Sequence, residues 1–439
     1  MDNNDLNQII DQILHLATQT GATSAEADIG TGYGLSVTAR MGEVETVEHQ
    51  NDKGLSITVY INNRKGSAST TNFNNDALSD AVTSACTIAK NANEDSCAGL
   101  LDKENLVQRV PDLDLYHPWS LSPEDAIKLA IQCENEARET DKRITNSEGA
   151  TVNTYSGSHF YGNTHGFIGG WEWSSHSIDC TVIAQQDDHM QRDGWYSRSR
   201  DYSDLDKINL ISQTAATRAL ARLGSRKLST QSVPVIFEAP VATSLFSALV
   251  SAISGGSQYR KSSFLLDKKG ELVFPEYLNV WEEPHLKKGM GSAPFDADGM
   301  ATQKQSIIVD GILQNYILSA YSARKLNIKP TGNAGGVHNL IIEPGNQNLQ
   351  ALIKSMDKGL FITEMIGFGI NQVTGDYSRG ASGFWVEHGE IQYPVEEITV
   401  AGNLQEMYKN ISAVGSDVDN RTNIRTGSVL VENMTVAGN

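Results

Sequence analysis

Residues 374–403, TGDYSRGASGFWVEHGEIQYPVEEITVAGN, are the stretch whose reading decides the fold. Two β-prone runs, 384–387 and 390–395, flank His388-Gly389, and a two-residue loop ending in glycine suits a primed hairpin turn. Ahead of the hairpin, Asp376, Tyr377, Ser378 and Arg379 stand between Gly375 and Gly380, which reads as a glycine-hinged loop presenting a binding surface on a rigid sheet. The same residues also suit a solvated loop with turn glycines. EITVAGN at 397–403 is nearly restated by NMTVAGN at 433–439, which predicts paired strand ends in one sheet if the echo is not chance.

Around this stretch the pattern is that of a β-rich domain with a few helices. PVIF at 234–237 reads as a short buried strand and 241–254 as a helix ending at Gly255-Gly256. QSIIV-DG-ILQNYIL is a hairpin around Asp310-Gly311. Two further helices are predicted at 349–356 and 404–411, the second capped by Asn403 with Glu406 completing a capping box.

The first half of the chain reads differently. Leu6, Ile9, Ile10, Ile13, Leu14 and Ala17 have helical spacing. Short strand patterns follow at 25–30, 34–40, 44–49, 54–61 and 65–71, with turns at Met41-Gly42, Asp52-Lys53-Gly54 and Asn62-Asn63, then a helix at 75–92. After a proline-punctuated connection at 94–121, the pattern returns. Ser122 and Pro123 open a helix, strands run from Arg143 to about Tyr202, and a helix spans about 205–223. The expected fold class is α+β. An N-terminal domain, 1–225, holds two helix–antiparallel meander–helix pseudo-repeats (1–93 and 121–225), and a mainly antiparallel β domain follows at 226–439.

The 439 residues exceed what one core supports. An excess of 53 acidic over 35 basic residues, net −18, argues against nucleic acid or an anionic membrane as partner. The polar N-terminus and the lack of a long apolar run point to a cytoplasmic protein, and Cys86, Cys97, Cys133 and Cys180 read as reduced thiols. Local signatures of chemistry are missing. No two of the ten histidines have the spacing of a helical zinc face, GTGYG at 30–34 and GFG at 367–369 fail the dinucleotide fingerprint, and there is no phosphate loop or nucleophile elbow. Asp376, Ser378 and His388 supply the residue types of a hydrolytic triad, but closeness in sequence does not give its geometry.

Several long motifs carry a resemblance. GEVETVEHQNDKGLSITVY, NRKGSAS, LLDKENL, PDLDLYHPW, DKRITNSEG, RKLST, GGSQYRKSSFLLD, YSARKL and the 374–403 stretch resemble the PmbA, or TldE, branch of the TldD/PmbA family of metallopeptidases and peptide-maturation proteins, over essentially the whole chain. The resemblance implies a cytoplasmic protein that pairs with a TldD-type metalloprotease subunit. It also implies a part in the proteolytic processing of peptides such as microcin precursors and antitoxins. An older family label invokes DNA gyrase, which the net charge does not support. The TldD branch binds zinc through H-E-x-x-x-H on the helix before the glycine turn and a C-terminal cysteine. Here Phe246 and Ser251 stand for the histidines and Ser247 for the glutamate, and no cysteine follows Cys180. The expectation is therefore no zinc in this chain, no catalytic residue of its own, and zinc in the partner.

A subunit of that kind would shape a peptide channel. Tyr259 and Arg260, after one glycine turn, and Asp376, Tyr377 and Arg379, on the other glycine loop, are the candidate substrate-binding residues for an extended or unfolded peptide lying on a strand edge. An autonomous peptidase with a non-standard site and a chaperone-like peptide binder are the alternatives. Homodimer formation in the partner's absence is left open.

Overall fold

In the computed structural model, which describes residues 3–438, the buried residues Leu6, Ile10, Ile13, Leu14 and Ala17 form the inner stripe of the first helix, α1 (Asn3–Gln19). Three strands follow, β1 (Ser24–Arg40), β2 (Glu43–Ile61) and β3 (Arg64–Thr70), then α2 (Asn75–Asn91). The five short strands expected here are thus three, two of them long. Asp52-Lys53-Gly54 is no turn, because it pairs directly with Gly32, Thr31 and Gly30 of β1 and stays extended. The true turns have both central residues at positive φ: Met41-Gly42 at 54° and 81°, and Asn62-Asn63 at 48° and 61°.

The connection then leads to α3 (Pro123–Glu139), whose cap Ser122 accepts a hydrogen bond from the Asp125 N–H. Next come β4 (Ile144–Asn163), β5 (Ile168–Gln186), β6 (His189–Ser199) and α4 (Ile208–Ala221). The two sets of three strands form one antiparallel sheet in the order β3-β2-β1-β4-β5-β6. Along β1, odd-numbered residues such as Ile29, Leu35, Val37 and Ala39 are buried under the helices. Even-numbered residues line the opposite face, where Gly32 and Gly34 lie under the Tyr155 ring and leave no room for a Cβ.

The second half begins with β7 (Gln231–Phe237), α5 (Ala239–Ile253) and α6 (Gly255–Tyr259). Then follow β8 (Val280–Glu282), β9 (Gln305–Val309), β10 (Ile312–Leu313), α7 (Ala320–Leu326), β11 (Leu340–Ile342) and α8 (Leu349–Met356). The chain ends with β12 (Gly359–Ile366), β13 (Asp376–Glu387), β14 (Glu390–Asn403), α9 (Leu404–Lys409), β15 (Ile411–Val414), β16 (Ile424–Arg425) and β17 (Val429–Ala437). Both predicted hairpins form, with positive φ at Asp310-Gly311 (49°, 73°) and His388-Gly389 (56°, 69°). Asn403 caps α9, but its side chain accepts from the Gln405 N–H, and the capping box expected with Glu406 is replaced by this shorter bond.

A five-stranded sheet, β10-β9-β8-β11-β16, accompanies a six-stranded one, β14-β13-β12-β7-β17-β15. The second is closed, because β14 also pairs with β17. The pairing is between the TVA segments of the two copies, the second of which ends at Asn439 outside the described residues: Thr399 faces Ala437, Val400 faces Val436, and Ala401 faces Thr435. Each copy follows a positive-φ residue at a bulge, Glu397 at 50° and Asn433 at 57°. The sequence echo therefore reflects one local geometry used twice.

The halves are joined by buried contacts and ion pairs. Phe295 packs edge-on against Trp171 (5.0 Å) and Phe167 (5.2 Å). Arg200 donates to the Met290 carbonyl at 2.7 Å, and Arg218 grips Glu238 through two bonds of 2.7 and 3.0 Å. Bidentate pairs with little solvent access fix orientation as well as adding energy.

Candidate functional site

The site grows from α5. Leu245, Phe246, Leu249, Ala252 and Ile253 are its buried face. Ser244, Ser247 and Ser251, at helical spacings of three and four, form the opposite stripe. Two of these hydroxyls turn back to the helix, Ser244 to the Val241 carbonyl (2.8 Å) and Ser251 to that of Ser247 (3.0 Å). Ser254 then caps α6, where the Gly255 Cβ position is filled by Ser322 of α7.

The facing wall is the β12–β13 connection. The Asn371 side chain accepts the N–H groups of Val373 (3.0 Å) and Thr374 (3.3 Å), the turn chemistry that asparagine provides. Gly369 lies against the Ser378 carbonyl, where any side chain would collide. The Arg379 Nε donates to the Gly367 carbonyl at 3.0 Å. Between the walls is a cleft of about 400 Å³ bordered by Ser247, Ser251, Phe368, Ile370, Gln372 and Arg379. The connection is apolar and bare around it: Phe368, which lines the cleft, is wholly exposed, and Ile366 and Val373 of the same segment are more than half exposed.

Of the candidate substrate-binding residues read from sequence, Arg379 alone is among those that border this cleft. The two glycine loops do meet, through a bond from the Phe264 N–H to the Gln372 carbonyl (2.9 Å). Tyr259 and Arg260 nonetheless turn away. Tyr259 packs edge-on against Tyr321 at 5.8 Å, and the Arg260 guanidinium folds over the Tyr259 ring at 5.2 Å. Tyr321 and Lys325 in turn hold Asp95 of the connection at 2.8 and 2.9 Å. The Cys97 N–H and these two side chains keep the Asp95 carboxyl at about 2.

Residues 376–379 are not loop but the start of β13, because they pair with 400–403 of β14. Strand alternation therefore turns Tyr377 inward, 2% exposed, and burial pushes its phenol up to about 12, so it is a core residue and not a substrate contact. Asp376 accepts from the Thr374 hydroxyl (2.6 Å) and the Asn403 amide (3.3 Å), which ties it to the turn and to the cap of α9. The triad types do not assemble: Asp376 opens β13 and His388 sits in the turn beyond its far end, with the twelve-residue strand between them.

Phe246 lies fully buried beside Phe274, so its side chain and that of Ser251 point to different environments, and the cleft is bordered by Ser247 and Ser251. Five residues on a helix turn the side chain by more than a quarter circle away. Among the described residues, no three His, Cys, Asp or Glu side chains are grouped to hold a metal ion. The residues that sequence reasoning missed are Ser244 and the apolar residues of the connection, Ile366, Phe368 and Val373. Their only sequence signal was a GFG flanked by isoleucines, which reads equally as core.

The comparisons with known proteins cover the whole chain. Residues 25–89, 116–223 and 230–438 match, in turn, domain 1, the central domain and the C-terminal domain of the PmbA/TldA metallopeptidases. Metalloprotease PmbA of Escherichia coli O157:H7 is 48% identical over 433 residues, spanning 99% of this chain and 96% of the relative. A metalloprotease TldD homolog of Buchnera aphidicola is 24% identical over 300 residues, 60% of this chain and 62% of that one. Among solved structures, a Bacteroides thetaiotaomicron protein described as a candidate modulator of DNA gyrase superposes with a TM-score of 0.94 at 28% identity, over 100% of both chains. TldE from Thermococcus kodakarensis shares the fold, with a TM-score of 0.85 at 20% identity over 98% of this chain and 100% of that one. No helix among the described residues is long and apolar enough to cross a membrane.

Proposed function

The chain belongs to the PmbA/TldD metallopeptidase family, and from that premise we propose that it is the subunit of a cytoplasmic protease complex that shapes the peptide path without carrying the metal. A TldD-type partner supplies the zinc and the bond-breaking chemistry. The substrates are extended or unfolded peptides, of the kind cut during maturation of precursors or removal of antitoxins.

The observation that carries this reading is the chemistry of the cleft wall. A catalytic zinc needs three histidine, carboxylate or thiolate ligands and an open position. Ser247 and Ser251 present neutral hydroxyls, one already committed to a helix carbonyl, and Arg379 places a fixed cation beside them. A guanidinium repels a dication and attracts peptide carbonyls or a carboxylate instead. The bare Phe368 rim supports the second part of the reading, since an exposed apolar patch of this kind marks a protein contact. We assign it to the TldD-type subunit. We further read the two helix–three-strand–helix units as pseudo-repeats of one domain, residues 1–225, that carries the C-terminal domain, 226–439.

The test is metal content and reconstitution together. Purified chain dialysed against metal-free buffer is expected to hold far less than one zinc per polypeptide, and Arg379→Ala is expected to assemble with the partner yet cleave peptide about tenfold more slowly, roughly 1.4 kcal/mol. Tightly bound stoichiometric zinc in this chain would overturn the reading.

A further inference from the structure

The outer edge of β2 is unusual. β3 pairs with β2 only over residues 55–61, so residues 43–53 hydrogen-bond to β1 on one side and, among the described residues, to no strand on the other. All eleven residues of this segment are exposed. That is a free edge of about 36 Å, far longer than the short or covered edges that folded proteins ordinarily leave.

Its two faces differ in chemistry. A bulge opposite Thr38/Ala39 resets the alternation, so Val44 and Val47 pair with Ala39 and Val37 and point to the same face. With Met41 of the adjoining turn, each is more than two-fifths exposed, and they form an apolar strip. Glu43, Glu48 and Asp52 pair with Arg40, Ser36 and Gly32 and point to the other face. Of the cations nearby, Arg40 pairs with Glu45 of the edge itself at 3.5 Å, and Lys53 lies over the Phe73 ring at 5.1 Å. The edge is thus acidic on one face, at Glu43, Glu48 and Asp52, while the other is apolar at the turn end, at Met41, Val44 and Val47, and continues through His49, Asn51 and Lys53.

We propose that residues 43–53 form a docking edge for an extended polypeptide segment in which basic and apolar residues alternate. The backbone of the incoming segment would complete the ladder, its basic side chains meeting Glu43, Glu48 and Asp52 and its apolar ones meeting Met41, Val44 and Val47. A second copy of this chain is a poor occupant, because two such edges would set acidic faces against each other. The class of occupant rests on the peptide-handling reading above, but the edge is tested on the isolated chain, so the two can fail separately.

The probe is a fluorescent heptapeptide alternating lysine and valine, followed by anisotropy at low ionic strength. Controls are the same composition with lysines and valines in blocks, a glutamate–valine version, and a version N-methylated at alternate amides. Binding is expected to be at least about tenfold weaker for each control. Glu43→Lys combined with Glu48→Lys should reverse the preference to the glutamate peptide with the melting temperature unchanged. Hydrogen exchange should slow at the amides of 43–53 when the lysine–valine peptide is added. Equal binding of the block peptide, protection confined to other segments, or no binding up to the solubility limit would each overturn the proposal.

Discussion

The N-terminal sheet is open, with β6 at one edge and β3 and the first half of β2 at the other, whereas the C-terminal six-stranded sheet returns on itself where the two TVA segments pair. Closure satisfies backbone groups that an open sheet leaves at its rim. It also confines variable chemistry to the connections, and the cleft beside α5 is built by two of these. In the open sheet the strands themselves stay available, and the bare edge of β2 follows. One chain thus offers two kinds of accessible surface, a cleft beside a helix and an edge made by backbone.

This contrast can be broken by substitution. Leu249 is fully buried in the C-terminal core, so Leu249→Asp should cost about 3–5 kcal/mol, while Val47→Asp on the open edge should shift stability by no more than about 0.5 kcal/mol. Chemical denaturation of both variants checks the pair, and equal losses would show that the edge is structurally indispensable. Between these extremes is Glu134, a buried carboxylate that accepts the Met41 and Gly42 N–H groups at 2.6 and 2.7 Å and so anchors the β1–β2 turn. Glu134→Ala leaves both donors unpaired and should cost about 1–3 kcal/mol.

A pH measurement sharpens the same comparison. Asp179 sits on the uncovered face of the open sheet, and burial pushes its carboxyl up to about 6. A raised folded-state value means that the folded chain keeps the proton longer than the unfolded one. Stability should therefore fall as pH rises from about 4 to about 6 and stay lower above, by on the order of 1–3 kcal/mol. Asp179→Asn should be more stable than the parent at pH 8, with the advantage vanishing below about pH 4 in denaturant titrations. The smallest expected change in stability is at the rim: Phe368→Ser should alter the melting point little, since the ring covers nothing, while weakening capture of a TldD-type partner in pull-down or light-scattering measurements.

Much of this architecture was legible beforehand, for physical reasons. Helices with an apolar stripe, such as α1 and α2, announce themselves by spacing, and the His388-Gly389 and Asp310-Gly311 turns by the need for positive φ. The long strands were harder, because Gly30, Gly32, Gly34 and Gly54 look like breaks. They persist because the glycines pair across strands and, at Gly32 and Gly34, make room for Tyr155, a partner 121 residues or more away in sequence that no local pattern reveals. At the site, the residue types along α5 could be read from sequence, but side-chain direction could not. Tyr377 turned inward because its segment joined a strand, Tyr259 followed Tyr321, and Phe368 was left in solvent, each decided by tertiary pairing and not by its neighbours in sequence.

The central claim, that this chain guides a peptide which another subunit cuts, is tested most directly by following hydrolysis of an unfolded peptide by the chain alone, by a TldD-type partner alone, and by the two mixed. The account predicts no turnover by this chain, little by the partner, and a large gain in the mixture that is lost when the partner's zinc is chelated. Turnover by this chain alone at the rate of the mixture would contradict it.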